Sequence, residues 1–122
     1  MTTATGRALD AAFIAELLAA ADTPAGAPLP TGAEHLVDAL LGALERGAVR
    51  AAERDADGTW KAVPWVKRGI LLGFRAGRMT DMSIGGHHGE PRFAFFDNHT
   101  FPPQPMTLEN GVRIVPGGSS VR

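Results

Sequence analysis

The chain has no cysteine, which excludes disulfides, thiol catalysis and thiolate metal sites. The chain also lacks an excess of charge of either sign: charged residues make up an ordinary 20% of the 122 residues, and the net charge is −1. Such a balance provides no electrostatic basis for binding nucleic acid or an anionic membrane, so we expect neither partner. Apolar runs stay shorter than the roughly 18 residues that a membrane span requires.

The N-terminal stretch lacks the continuous apolar segment of a signal peptide, so we expect a cytoplasmic protein. The length of the chain predicts a single domain over residues 1–122, with residues 1–7 and 117–122 flexible. Frequent alanine and glycine, with arginine exceeding lysine, are typical of a GC-rich genome. We find no internal repeat.

The first third of the chain predicts a helical hairpin. Apolar positions recur at helical spacing from Ala8 to Ala21 and from Ala33 to Arg46. Prolines and glycines between these stretches, in the segment 22–32, end the first helix.

The ends of the second helix also carry sequence signals. Thr31 is predicted to be its N-cap, with Glu34 as the capping-box partner. Gly47 is predicted to follow its C-terminus in the left-handed conformation.

An Asp57-Gly58 pair between two extended segments, 48–54 and 59–63, predicts a β-hairpin. Its partial alternation places Val49 and Trp60 toward the core.

Pro64 suits the first turn of a third helix of about eleven residues. The apolar run that follows, which includes Trp65, Ile70 and Phe74, predicts burial on most sides of this helix. Its glycines would let another element approach closely.

Short strands are predicted over 79–84, 92–97 and 112–115, with a glycine-rich loop at 85–89 and an irregular proline-rich segment at 98–106. The predicted fold class is therefore α+β: an N-terminal helical hairpin, a β-hairpin, a third apolar helix and short C-terminal strands.

The central stretch AVRAAERDADGTWKAVPWVKRGILLGFR, residues 48–75, holds both tryptophans and the longest apolar run. This stretch resembles the N-terminal domain of tetrahydrodipicolinate N-succinyltransferase, an enzyme of bacterial lysine and diaminopimelate biosynthesis. Two later segments, Phe96-Asp97 and the RIVP sequence at 113–116, resemble that family's aromatic-aspartate pair and its R-V-V-P segment. The matching positions of the central stretch are Ala48, Arg50, Ala52, Glu53, Gly58, Trp60, Trp65, Lys67, Arg68, Ile70, Leu71, Leu72, Phe74 and Arg75.

The resemblance implies a division of labour within the enzyme. In that family this domain precedes a left-handed β-helix, which carries the acyl-CoA site, the catalytic acidic residues and the trimer contacts. We therefore expect the substrate-side cap of the enzyme without the transferase, and no cofactor. The arginine of the R-V-V-P segment is implicated in holding the dicarboxylate substrate, and the resemblance assigns that role to Arg113, because a guanidinium can bind a carboxylate through two hydrogen bonds.

Other polar residues suggest alternative sites. His87, His88 and His99, with Glu90 or Asp97, include types that bind zinc. Adjacent histidines diverge on an extended chain, so we expect a solvent loop and no metal. Asp97 and His99 are candidates for acid–base catalysis.

Three functions remain open. The first is a non-transferase partner subunit that docks through Trp60, Trp65, Ile70 and Phe74 onto a larger enzyme of amino-acid-derived metabolite biosynthesis, or forms a homodimer. The second is a small enzyme or binding protein that holds a dicarboxylate or amino-acid-like ligand with Arg113. The third is an excised fragment of a lysine-pathway N-succinyltransferase.

Overall fold

A computed structural model describes residues 7–122, which form two compact units, 7–77 and 78–122. The predicted α+β class is confirmed, whereas the single domain over 1–122 stays a prediction. Residues 1–6 of the segment expected to be flexible lie outside the described residues. The helices are α1 (Ala11–Ala21), α2 (Ala33–Glu45) and α3 (Pro64–Ala76), and the strands are β1 (Ala52–Arg54), β2 (Trp60–Ala62), β3 (Met79–Asp81), β4 (Ile84–Gly85), β5 (Arg92–Phe93) and β6 (Phe96–Asn98).

Helix α1 begins three residues later than the apolar pattern suggested. Asp10 is its N-cap, and the Asp10 carboxylate accepts a hydrogen bond from the Phe13 N–H at 2.9 Å. This bond satisfies one of the amides that the first turn leaves without a helical partner. The proline-rich loop follows at Asp22, as predicted.

Helix α2 begins differently from the prediction, which was wrong about Thr31. The N-cap is Gly32, in the left-handed conformation at φ 94°, and no side chain caps this end. The glycine turns the chain directly into the helix, so Thr31 lies one residue too early to serve.

The C-terminus of α2 confirms Gly47, which has φ 71°. The Gly47 N–H donates to the Leu44 carbonyl at 3.1 Å, and the Ala48 N–H donates to the Ala43 carbonyl at 2.9 Å. These two bonds form a Schellman motif, which reverses the chain toward the hairpin.

Helix α3 begins at Pro64 and runs for 13 residues, slightly longer than expected. Its predicted close approach is confirmed at Gly69, where an added Cβ would lie 2.3 Å from Leu40 Cδ2 and 3.0 Å from Leu17 Cδ1. The core of residues 7–77 thus forms where α1, α2 and α3 meet. Its largest buried side chains are Phe13, Leu17, Val37, Leu40, Val66 and Leu72.

The β-hairpin is confirmed, with shorter strands than the flanking segments suggested. Strands β1 and β2 pair antiparallel, with Ala52 opposite Ala62 and Arg54 opposite Trp60. The Asp57 carboxylate accepts from the Thr59 N–H at 3.0 Å, and this bond lowers the pKa of Asp57. The prediction that Trp60 faces the core was wrong, because its side chain is 66% exposed.

Residues 78–122 contain three separate features. Strands β3 and β6 pair antiparallel, β4 and β5 pair antiparallel, and a 3-10 turn spans Leu108–Asn110. The predicted strand over 92–97 is interrupted at Ala94 and Phe95, so it supplies one strand to each pair.

The predicted strand over 112–115 was wrong. Val112, Ile114 and Val115 lie in an exposed stretch, and the described chain offers that stretch no partner strand. A strand composition does not form a ladder without a neighbour to accept its hydrogen bonds. Across residues 7–122, none of the helices has the length and apolar character needed to cross a bilayer.

Candidate functional site

The outer face of α3 presents apolar side chains to water. Lys67, Leu71 and Phe74 follow one another at spacings of four and three residues, which places them on one side of the helix. Leu71 is 51% exposed and Phe74 is 52% exposed. The prediction that α3 is buried on most sides was therefore wrong: the opposite side, with Val66 and Leu72, packs into the core while this one does not.

The four residues predicted from the sequence to form a partner interface differ in exposure. Trp60 and Phe74 are exposed, whereas Trp65 and Ile70 are half-buried beside the core. Leu71 was missing from that set, although its helical spacing from Phe74 could have identified it.

Arginines of α3 hold the loop between α1 and α2. Arg68 forms an ion pair with Asp22. Arg75 donates from Nη1 to the Thr23 carbonyl at 2.7 Å and from Nη2 to the Pro24 carbonyl at 3.2 Å. These contacts join α3 to the loop at points 46 to 52 residues away in sequence, so the outer face rests on a well-anchored helix.

A cleft of about 610 Å³ lies between the end of α2 and the hairpin. Its lining includes Arg46, Arg50, Trp60 and one carboxylate, Glu45. The Schellman motif brings residues 48–52 back beside the end of α2, which is why groups so close in sequence face each other across a cleft. Sequence reasoning did not find this feature.

The predicted catalytic candidates lie in the second unit and take part in local hydrogen bonds. Asp97 sits opposite Thr80 in the β3–β6 pair, and its carboxylate accepts from the Asn98 N–H at 2.7 Å. The Nδ1 atom of His99 accepts from the Arg78 N–H at 2.9 Å, and the His99 N–H donates to the Arg78 carbonyl at 2.9 Å. Their catalytic role stays a prediction.

The remaining predicted ligands are exposed. Arg113 lies in the exposed stretch after Gly111, which has no regular secondary structure, and no hydrogen bond or ion pair holds its guanidinium within residues 7–122. His87 and His88 occupy a turn in which the Glu90 N–H donates to the His87 carbonyl at 2.9 Å. In the part of the chain that the structure describes, no three metal-ligating side chains come together.

A polar network that the sequence did not reveal surrounds Asp81. Its carboxylate accepts from the Ser83 N–H at 2.8 Å and from Arg92 Nη2 at 2.6 Å. Hydrogen bonds from the Ser83 hydroxyl and N–H, followed by the charge of Arg92, lower the pKa of Asp81. The Asp-x-Ser spacing, which is typical of an Asx-turn, was the available signal.

Comparison with known proteins shows where this architecture belongs. The profile of the tetrahydrodipicolinate N-succinyltransferase N-terminal family matches residues 11–76, from the start of α1 to the end of α3. The chain belongs to that family. The match confirms the resemblance carried by residues 48–75 and includes α1 and α2, whereas the later segments at 96–97 and 113–116 lie beyond it.

Curated relatives agree. The chain is similar to the 2,3,4,5-tetrahydropyridine-2,6-dicarboxylate N-succinyltransferases of Roseobacter denitrificans (46% identical over 63 residues) and Ruegeria pomeroyi (43% over 65 residues). Each match covers 51% of this chain and 22% of the relative. The Nitrobacter hamburgensis enzyme is 48% identical over 90 residues, which is 66% of this chain and 29% of the relative. The matched segment is thus less than a third of each of these three relatives.

Proposed function

We propose that this succinyltransferase N-terminal-domain-like chain acts as a non-transferase partner subunit of a larger enzyme in the biosynthesis of an amino-acid-derived metabolite. In this role it docks through the outer face of α3, with Trp60 of the hairpin contributing to the same interaction.

The observation that carries the proposal is the amount of apolar side chain in contact with water. Thirteen large hydrophobic residues of the described chain are more than a third exposed. Isolated exposed apolar residues are ordinary, but contiguous ones on an ordered element mark interaction surfaces. Leu71 and Phe74 meet that description because they are neighbours on a helix whose other side is fully packed.

The relatives support a protein as the partner. In the Roseobacter denitrificans and Ruegeria pomeroyi enzymes the matching segment makes up 22% of the chain, so there this kind of domain occurs together with much more protein. An apolar outer face on α3, in a domain that its relatives carry within a longer chain, supports a protein partner rather than a small ligand. Leu71 and Phe74 supply apolar area for the buried centre of an interface, and the neighbouring Lys67 suits its polar rim.

The test is recovery of the partner from the native source with the full-length chain as bait, followed by identification of the recovered proteins by mass spectrometry. A Leu71→Glu/Phe74→Glu double variant places two charges in the proposed interface and is expected to lose the partner at least tenfold. Leu108→Glu is the matched control: Leu108 is 99% exposed in the second unit, and its replacement is expected to leave recovery unchanged. Circular dichroism confirms that each variant is folded.

Recovery of a biosynthetic enzyme subunit with the natural chain and Leu108→Glu, but not with the double variant, supports the proposal. Equal recovery by all three chains, or recovery of no enzyme subunit by the natural chain, overturns it.

A further inference from the structure

The cleft beside Trp60 is lined by two arginines whose side chains have no partner among residues 7–122. In residues 7–77 the other arginines are engaged: Arg7 with Glu16, Arg68 with Asp22, Arg54 with the Gly58 carbonyl, and Arg75 with the carbonyls of the loop after α1. Arg46 and Arg50 make no side-chain hydrogen bond or ion pair in that unit, and both line the cleft. Uncommitted cations concentrated in one place indicate a site for an external anion.

The local fold explains why these side chains share the cleft. Arg46 ends α2, and Gly47 reverses the chain so that Arg50 runs back beside the helix end. Along the strand that follows, alternate side chains lie on one face, and Ala52 and Trp60 both line the cleft. The exposed Trp60 therefore lines the same cleft as Arg46 and Arg50.

The form of the cleft distinguishes between classes of ligand. Leu44 and Val49 are half-buried, while the other lining residues are exposed. Pockets for small molecules bury most of the ligand surface, which an open cleft with an exposed lining does not do. An extended protein segment, held along its length, does not need such enclosure.

The charges that line the cleft indicate that the bound segment is acidic. The residues that line it include two arginines and a single acidic residue, Glu45. Guanidinium groups bind carboxylates through paired, charge-assisted hydrogen bonds, and the indole of Trp60 provides apolar area for the intervening aliphatic groups.

We propose that this cleft binds an acidic segment of the partner subunit, with Arg46 and Arg50 pairing with its carboxylates and Trp60 covering its aliphatic part. The inference rests on the proposed function and adds to it a second, electrostatic contact away from the outer face of α3. This second contact would make binding specific for a partner that carries acidic residues.

The experiment measures binding of a fluorescein-labelled peptide, EELEELEE, to the full chain by fluorescence anisotropy at low salt. The counterpart QQLQQLQQ has the same length and no carboxylate side chains, and it is expected to bind at least tenfold more weakly. Raising the salt concentration is expected to weaken binding of the glutamate peptide, since exposed charge pairs are screened.

Arg46→Gln/Arg50→Gln is expected to weaken binding of the glutamate peptide at least tenfold, and Trp60→Ala about threefold or more. The control is Lys67→Gln, which removes one positive charge from the same unit outside the cleft and is expected to leave binding within about twofold of the natural chain. Competition with glutarate tests a free dicarboxylate as the occupant.

Equal binding of the two peptides, or equal loss with Lys67→Gln and with the double arginine variant, overturns the inference. Displacement of the peptide by equimolar glutarate also overturns it, because the cleft would then prefer a small anion. The proposed function is tested separately. It is overturned if Leu71→Glu/Phe74→Glu still recovers the enzyme subunit, whether or not the glutamate peptide binds. If the peptide does not bind while that variant still loses the subunit, only the acidic-segment inference is wrong.

Discussion

The two units of this chain use apolar residues in opposite ways. Residues 7–77 bury theirs where three helices meet, and eleven hydrophobic residues there are buried, each at most 7% exposed. Among residues 78–122 none is fully buried, although that unit carries aromatic and aliphatic side chains throughout. Its order instead comes from short strand pairs and local hydrogen bonds around Asp81 and His99.

This difference in burial indicates that the two units are stabilised by different interactions. A helix presents a continuous apolar stripe, so three helices can enclose a dry core from few residues. Two-residue and three-residue strands present too little surface to do so, and isolated two-stranded ladders are marginal in water. We therefore expect substitutions in the first unit to act through packing and those in the second to act through hydrogen bonds.

The largest expected difference is between leucines of the two units. Leu40 is 0% exposed, so Leu40→Ala should lower the free energy of unfolding by about 2–5 kcal/mol. Leu108 is 99% exposed, so Leu108→Ala should change it by less than about 0.5 kcal/mol. Urea unfolding followed by circular dichroism at 222 nm measures both, and similar losses would show that the comparison between the units is mistaken.

A smaller effect is expected at two helical glycines of the first unit. Gly69→Ala forces a Cβ against Leu40 and Leu17, which are both 0% exposed, and overpacking costs about 1–3 kcal/mol. The better helix propensity of alanine offsets up to about 1 kcal/mol of this. Gly42→Ala is the matched control, because its Cβ would meet only the flexible end of Arg46 at 3.1 Å.

The midpoint of thermal unfolding of these two variants tests whether α3 packs closely in the core. A lower midpoint for Gly69→Ala, with an unchanged or higher one for Gly42→Ala, is the expected pair of results. A stabilised Gly69→Ala would mean that α3 does not pack closely on α1 and α2.

The smallest effect concerns the second unit and its dependence on pH. The Ser83 hydroxyl and N–H and the nearby Arg92 hold the pKa of Asp81 below its ordinary value of 3.8. A carboxyl whose pKa is lowered by folding stabilises the folded state above its unfolded pKa, and that contribution is lost as the pH falls through the folded value. Residues 78–122 should therefore lose this stabilisation below about pH 3.8.

Titration followed by NMR at the Asp81 carboxyl provides the measurement. Ser83→Ala should raise the pKa of Asp81 toward its ordinary value, because the hydroxyl makes the largest contribution. Arg92→Gln should raise it less. The reverse order would assign the shift to charge rather than to hydrogen bonding.

Much of the fold was predictable because its signals are local. Pro64 and Gly47 mark helix ends, and Asp57-Gly58 marks the hairpin, through conformational preferences that act within a few residues. The error at Thr31 arose because two neighbouring residues both suited the start of α2, and the left-handed Gly32 was the one used. The predicted strand at 112–115 failed because composition does not supply a pairing partner.

The candidate site was less accessible to sequence reasoning. Trp60 was expected to face the core because of the partial alternation of its segment, yet the β1–β2 pair leaves its side chain exposed. The cleft with Arg46 and Arg50 was not found at all, because it depends on a chain reversal that brings the end of α2 against the hairpin.

The sequence by itself determined the three helices, the hairpin and the family to which the chain belongs, because periodicity, turn residues and residue identity are properties of contiguous segments. Only the tertiary structure decided which side of α3 faces water and which arginines lack partners within residues 7–122. Those outcomes depend on contacts between distant segments, such as Gly69 with Leu17 and Leu40, or Arg75 with the loop after α1. Burial and charge pairing are set by what each residue meets in space.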